Sequence, residues 1–187
     1  MKNITDQITQ LNIIWENIRK NIISNGNLIS IEEKFKTNKK SIEKVDFNAI
    51  GNNFGIYIFY IKPTKVYNIE NLISDWTQKG HIKYPKVVKK RFSKHKSINI
   101  NNEYPFYIGK SEKLGSRIKE HITHEKKAST YGLKLKGRDS FNEKNITFSY
   151  WELPKELQEC SNEIKQFIIT QVESKLRDKL NPWIGKQ

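Results

Sequence analysis

Apolar residues recur at three- and four-residue spacings through residues 3–24, where Ile4, Ile8, Leu11, Trp15, Ile18 and Ile22 form one stripe. That period predicts an amphipathic helix, ended by Asn25-Gly26. Residues 32–48 are charged and weakly periodic, which supports a loop or a short helix. After the turn residues Gly51-Asn52-Asn53, the run Gly55-Ile56-Tyr57-Ile58-Phe59-Tyr60-Ile61 reads as a core strand closed by Pro63. Ile69, Leu72, Ile73 and Trp76 predict a short helix over 68–78. Residues 79–102 are basic and poor in apolar anchors, an excursion of loop or partial helix. Tyr104 to Gly109 predicts a second strand. A helix over 112–127 follows, with Leu114, Ile118 and Ile122 in register and Ser111 placed to cap it. A polar loop over 130–144 leads to an alternating third strand over 145–153, stopped by Pro154. Ile164, Ile168, Val172, Leu176 and Leu180 mark a long final helix over 161–180, capped by Ser161 and stopped at Asn181-Pro182.

The elements predict an α+β fold: a small three-stranded antiparallel or mixed sheet flanked by helices. Residues 1–50 form an N-terminal helical arm. Residues 51–187 form the main domain, with a basic insertion over 61–104 between strands one and two. No apolar run approaches the roughly 18 residues that span a bilayer. The N-terminus lacks a basic-then-apolar signal layout, so the expected location is intracellular, in a prokaryotic or phage-like setting. Cys160 stands alone, which excludes a disulfide framework and a Cys-rich zinc module.

Charge changes the picture. The 187 residues carry a formal net charge of +14. Isoleucine, asparagine and lysine make up 75 residues, so AT-rich codons alone could inflate lysine. Such a bias would spread the charge evenly, and it is not even: residues 61–138 hold +13 of the +14. Clustering of this kind is the footprint of a polyanion, most simply nucleic acid. An anionic membrane surface is the competing partner on charge alone. Within the cluster, Lys86, Lys89, Lys90, Arg91, Lys94 and Lys96 surround Phe92 and lie between the first two strands. They are candidates for tracking a phosphate backbone.

The candidate chemistry sits at the ends of these elements. Tyr57 and Tyr107 occupy corresponding places on the first two strands. Arg117 and His121 share a helix face at i, i+4, and Lys113 extends that basic stripe backwards. Glu173 lies at the edge of the last helix's apolar stripe. Gly55-Ile56-Tyr57, Tyr107-Ile108-Gly109-Lys110-Ser111, Leu114, Arg117, His121 and Glu173 together resemble the GIY-YIG nuclease family. Arg117 lies ten residues past Tyr107, and His121 four past Arg117, as in the family pattern. Two features depart from it. The tyrosines usually lie close together but here are 50 residues apart. Many members also end with Pro followed by Asn; here Asn181 precedes Pro182 and Gly185 stands where that asparagine would fall, so its role is not carried over.

The resemblance implies phosphodiester hydrolysis of double-stranded DNA with one divalent metal, Mg²⁺ or Mn²⁺, held by Glu173. It assigns Tyr57 as general base, Tyr107 to orienting water or phosphate, Arg117 to gripping the scissile phosphate, and His121 to phosphate contact or proton relay. Lys110, Arg117 and the metal would favour the Tyr57 phenolate, which forms near pH 10 when free. Hard oxygen donors suit such a metal, and Arg suits a phosphate. The first choice within the family is a type II restriction enzyme. A structure-selective repair or mobile-element nuclease is the second, and a non-catalytic nucleic-acid-binding protein a third of another class. No separate DNA-binding module fits this length. Concerted double-strand cleavage would need a homodimer or successive nicks, with the Trp15 helix as a dimer element or a helix packed on its own core. Plainer readings stand beside these. Glu173 could simply pair with Arg177 on a solvated face. His121, His124 and Glu125 share a helical face and could suggest zinc, without a cysteine or fourth ligand. Trp76 and Trp151 fit a core better than a base-stacking platform.

Overall fold

The computed structural model describes residues 2–100, 102–141 and 143–185. In chain order the elements are α1 (Lys2–Ile22), α2 (Asn25–Thr37), β1 (Lys40–Ser41), β2 (Gly55–Ile61), α3 (Ile69–Trp76), β3 (Lys86–Val87) and α4 (Lys89–Phe92). Then come β4 (Tyr104–Ser111), α5 (Leu114–Thr123), β5 (Ile146–Glu152), α6 (Lys155–Gln158), α7 (Asn162–Leu180) and β6 (Ile184–Gly185). Asn25-Gly26 is not a stop into a loop: α1 ends at Ile22, and Asn25 and Gly26 open α2. Ser161 caps α7 as expected, its side chain accepting from the Ile164 N–H. Ser111 does not cap α5. It ends β4, and its Oγ accepts the Lys113 N–H at 3.0 Å in a turn ahead of the helix.

The expected three-stranded sheet is corrected to a mixed six-stranded one, ordered β1-β5-β2-β4-β6-β3. The three expected strands are its long members. Central β2 pairs antiparallel with β4 on one side and β5 on the other. β1, β3 and β6 have two residues each, too few for any alternation to register in the sequence. β6 runs parallel to β4, meeting it at Tyr107↔Ile184, and β3 pairs antiparallel with β6.

Helices cover both faces of this sheet, which is why β2 is an unbroken apolar run and buried at all seven positions. On one face Tyr57, Phe59 and Phe148 pack with Leu114, Ile118 and Ile122 of α5 and Trp76 of α3. On the other, Ile56, Ile58 and Trp151 pack with Ile31 and Phe35 of α2 and Ile169, Val172 and Leu176 of α7. Trp76 and Trp151 are therefore core, as their spacing suggested. α1 leans on α7 through Trp15 and Phe167, ring centroids 4.0 Å apart, and leaves Ile4, Ile8 and Leu11 exposed.

The basic excursion is stitched down rather than looping free. β3 pairs with β6, the Val88 N–H donates to the Trp183 carbonyl at 2.8 Å, and Phe92 packs edge-on against Trp183 at 5.3 Å. Trp183 is itself fully buried, so the excursion shares the main core. Burial of an aromatic on this scale stabilises by about 3–5 kcal/mol relative to alanine. Among the described residues, no helix is long and apolar enough to cross a membrane.

Candidate functional site

Because β6 is so short, the edge of β4 beyond Tyr107 stays uncovered, and a cleft of about 370 Å³ opens along it. Tyr57, Tyr107, Lys110, Arg117 and Glu173 all line this cleft, together with Arg91, Gln166 and Arg177. β2 supplies Tyr57, β4 supplies Tyr107 and Lys110, α5 supplies Arg117 from one face, and α7 supplies Glu173 from the other. Five of the six catalytic candidates thus converge, although the chain holds them in three separated segments.

The two motif glycines have a spatial cause. Tyr57 stands in register with Gly109, and its ring crosses that residue. A β-carbon at Gly109 would collide with Tyr57 Oη, would lie 2.6 Å from its Cζ, and would reach 3.0 Å from Tyr107 Cε1. At Gly55 a β-carbon would collide with the Trp151 carbonyl and crowd Leu114 Cδ2 at 3.0 Å. The glycines therefore let the tyrosines and the neighbouring backbone approach each other.

His121 is the sixth candidate, and it lies behind the cleft, fully buried. It cannot touch a phosphate there. Its Nδ1 accepts the Leu133 N–H at 3.0 Å, and its Nε2 lies 2.7 Å from Tyr57 Oη. Burial, with Arg117 and His124 adding to it, holds its pKa well below the ordinary histidine value. A neutral ring with Nδ1 accepting carries its proton on Nε2, which then donates to Tyr57 Oη. Both ring nitrogens are thus engaged, so His121 has no lone pair for a zinc ion in this arrangement. It aims and polarises Tyr57 rather than taking its proton.

Burial also pushes Tyr57 well above the ordinary phenol value; Tyr107 adds to this, while Arg117 works against it. Tyr107 is raised as well, again by burial first, with Arg117 and Tyr57 opposing. Both are therefore phenols at neutral pH. Arg117 is held by Glu120 Oε2 at 2.5 Å and by the Tyr131 carbonyl at 2.7 Å. Burial works to lower its pKa, but Tyr57, Glu120 and Tyr107 together raise it, so it stays a cation.

Glu173 is 3% exposed, and Arg177 one turn on is ion-paired to it. The pairing foreseen as a plain alternative exists, but not on a solvated face: both partners line the cleft. Seven residues before Glu173, on the same side of α7, Gln166 lines the cleft with a buried Oε1 that has no hydrogen-bond partner. A carboxylate and an orphaned amide oxygen form an all-oxygen donor pair. That set fits a hard divalent cation that keeps most of its waters, and not a soft or nitrogen-seeking one. Among the described residues, no group of three or more His, Cys, Asp or Glu forms a closed metal cage.

The basic candidates divide. Lys89, Lys90, Arg91 and Lys94 line a second groove of about 520 Å³ with Asp178 and Asn181, and Arg91 is common to groove and cleft. Lys86 stacks over Tyr84 at 4.3 Å. Lys96 and Lys113 are exposed, the latter just before α5. Asn181 caps α7 in the left-handed conformation, φ 49°, and lines the groove rather than the cleft. Sequence reasoning missed Gln166, whose one signal is its seven-residue spacing from Glu173, and it placed Arg91 among the backbone-tracking contacts rather than in the cleft. Compared with known family models, curated proteins and solved structures, the chain matches none.

Proposed function

We propose that the chain is a Mg²⁺- or Mn²⁺-dependent GIY-YIG endonuclease hydrolysing phosphodiester bonds of double-stranded DNA, and within that class a type II restriction enzyme working inside the cell. The observation that carries this reading is the single cleft that gathers Tyr57, Tyr107, Lys110, Arg117 and Glu173. Hydrolysis needs a water stripped of a proton, a stabilised phosphorane and an assisted leaving oxygen. Tyr57 is the base. Arg117 lowers the cost of its phenolate, and the His121 Nε2–H remains aimed at the oxygen that would carry the charge. Tyr107, across the uncovered strand edge, orients the phosphate or the attacking water. Arg117, anchored by Glu120 and Tyr131, presents a fixed guanidinium to a phosphate oxygen. Glu173 and Gln166 would hold the divalent cation, which when bound supplies charge for the phosphate and a more acidic water. One cleft per chain serves one strand, so a double-strand cut calls for two copies or two nicks. The exposed apolar side of α1 is a surface for a second copy.

Two observations favour a second reading, a nucleic-acid-binding protein that does not cut: Arg177 already neutralises Glu173, and burial keeps Tyr57 a phenol. Plasmid DNA incubated with the protein in Mg²⁺, in EDTA, and with Glu173→Ala separates the two. Metal-dependent cleavage lost in the variant supports the enzyme, and discrete fragments support sequence specificity. Binding without any cleavage by the unaltered protein leaves the binding reading.

A further inference from the structure

We propose that Arg91, carried by the basic excursion, is a second phosphate-gripping arginine of the cleft, donating from its Nη1 to an oxygen of the phosphate held there. This deepens the nuclease reading and rests on it for the identity of the phosphate. Three observations carry it.

First, Arg91 lines the cleft alongside Tyr107, Glu173 and Arg177, so its head lies with the reactive candidates rather than on the outer surface of the excursion. Second, its Nη1 is buried and has no hydrogen-bond partner. A buried cationic donor left unsatisfied is costly, and an anion oxygen is the group that would complete it. Arg117, by contrast, has both terminal nitrogens bound to protein oxygens. Third, the surrounding structure holds Arg91 in place. The Arg91 N–H donates to the Val88 carbonyl at 3.0 Å, and Val88 and Phe92 on either side are pinned to Trp183. Gly185, at φ 146°, lies beside it; a β-carbon there would sit 4.0 Å from both Arg91 Nη1 and Tyr107 Cε2, so Arg91 and Tyr107 border the same stretch of the cleft. Burial and then Arg177 pull the Arg91 pKa down, with Asp178 and Glu173 opposing, and a bound phosphate would relieve both penalties.

The position has a chemical consequence. Arg91 also lines the neighbouring groove with Lys89, Lys90 and Lys94. A backbone tracked along those lysines would be handed into the cleft at Arg91, where Arg117 also stands. Two guanidiniums can share the charge of a phosphorane more widely than one.

The test uses the full chain and separates binding from chemistry. In EDTA, a short DNA duplex is titrated by fluorescence anisotropy at several salt concentrations. In Mg²⁺, single-turnover cleavage is measured with enzyme saturating. Arg91→Ala is expected to cut the saturated rate 10²- to 10³-fold. The duplex affinity should fall only several-fold, and the salt slope should drop by about one phosphate contact. Arg91→Lys keeps charge and stem but loses the fork, so it should bind nearly as well yet cleave at least tenfold more slowly. It also covers the case in which the alanine variant fails to fold. Lys155→Ala, at an exposed position of α6, should change neither readout. A wild-type saturated rate in both Arg91 variants overturns the proposal. If unaltered protein binds but never cleaves, the nuclease reading falls on its own; an unchanged salt slope in Arg91→Ala then overturns the Arg91 contact separately, and a reduced slope sustains it. Absence of DNA binding by the unaltered protein overturns both.

Discussion

Two clusters of polar and cationic side chains with buried donor or acceptor atoms, one at the cleft and one in the loop after α5, are built on opposite terms. On the cleft side, Arg91 has a guanidinium nitrogen with no partner, and Gln166 has an oxygen with none. On the other side, Lys134 donates its ammonium to three carbonyls, of Ile82 at 2.6 Å, Ala128 at 2.5 Å and Lys126 at 3.2 Å. Beside it, Arg138 donates to the carbonyls of Leu133 and Trp76 and stacks over the Trp76 ring at 3.4 Å. The first cluster keeps polar capacity facing open space. The second spends nearly all of its capacity on tying the loop after α5 to the loop before β3, with only Arg138 Nη2 left without a partner. Buried donors that are consumed hold a fold together, and a leftover donor waits for a ligand only where, as at Arg91, it lines a cleft. The clustered charge counted in the sequence is therefore two populations. Lys134 and Arg138 contribute to the net charge but present nothing to a phosphate backbone.

The comparison can be broken at several points. The largest effect is expected at Glu173. Glu173→Gln should lower metal-dependent cleavage at least 10³-fold, about 4 kcal/mol of barrier, while leaving DNA affinity equal or higher because a negative charge is gone. Single-turnover rates and anisotropy titrations check this; loss of both together would mean that the carboxylate only holds the cleft together. Next comes Lys134→Met. It strands three carbonyls, so it should cost about 2–4 kcal/mol of stability. It should also lower activity through the neighbouring Leu133, whose N–H fixes His121. Denaturant unfolding reads the first effect and cleavage the second. A stable variant that has lost DNA affinity would move Lys134 into the binding population.

His121→Asn comes third. It removes the donor to Tyr57, and it should slow cleavage roughly 10²-fold with little change in affinity, since His121 lies behind the phosphate's reach. A weakened affinity instead would contradict its buried position. The smallest effect is a pH dependence of stability. Burial, then the charges of Arg138, Lys126 and Lys134, lower the His81 pKa to about 4, from 6.5 when free. Between those values the unfolded chain binds a proton that the folded chain refuses, so stability falls as pH drops from about 6.5 toward 4. His121 adds in the same direction. Neither His81 ring nitrogen has a hydrogen-bond partner, so His81→Phe should fold and should flatten part of this loss. Thermal melts from pH 7 to pH 4.5 measure it, and an unchanged slope would show that His81 titrates freely.

The sequence carried some of this and hid the rest for identifiable reasons. β2 was legible to the residue because burial on both faces wrote it as a continuous apolar run. α7 was legible because its apolar period and Ser161 cap agree. The two-residue strands left no period to read. α2 was obscured because Asn25-Gly26, a usual terminator, opens a helix here. Tyr57, Tyr107, Lys110, Arg117 and Glu173, which the resemblance to an ordered family motif singles out, do line one cleft. Arg91 reads in the sequence as one more backbone-tracking cation, because the segment around it is docked through Val88 and Phe92 on Trp183, which lies far along the chain. His121 lies beside Tyr57, but its orientation depends on the Leu133 amide, and nothing local announces that partner.

The register of β2 has a kinetic consequence. Tyr57 is opposite Gly109 on one side and Tyr150 on the other, and neither partner is near it in the chain. The centre of the sheet therefore cannot begin as a hairpin. Two long loops must close before either ladder returns any enthalpy, and topologies of this kind fold over milliseconds to seconds rather than microseconds. In stopped-flow refolding, tryptophan fluorescence, to which the buried Trp76, Trp151 and Trp183 all contribute, and the gain of sheet should rise together. The strand that carries the proposed base would then be among the last parts of the molecule to become whole, and the newly made chain would pass through its slowest step with a long apolar segment still unpaired.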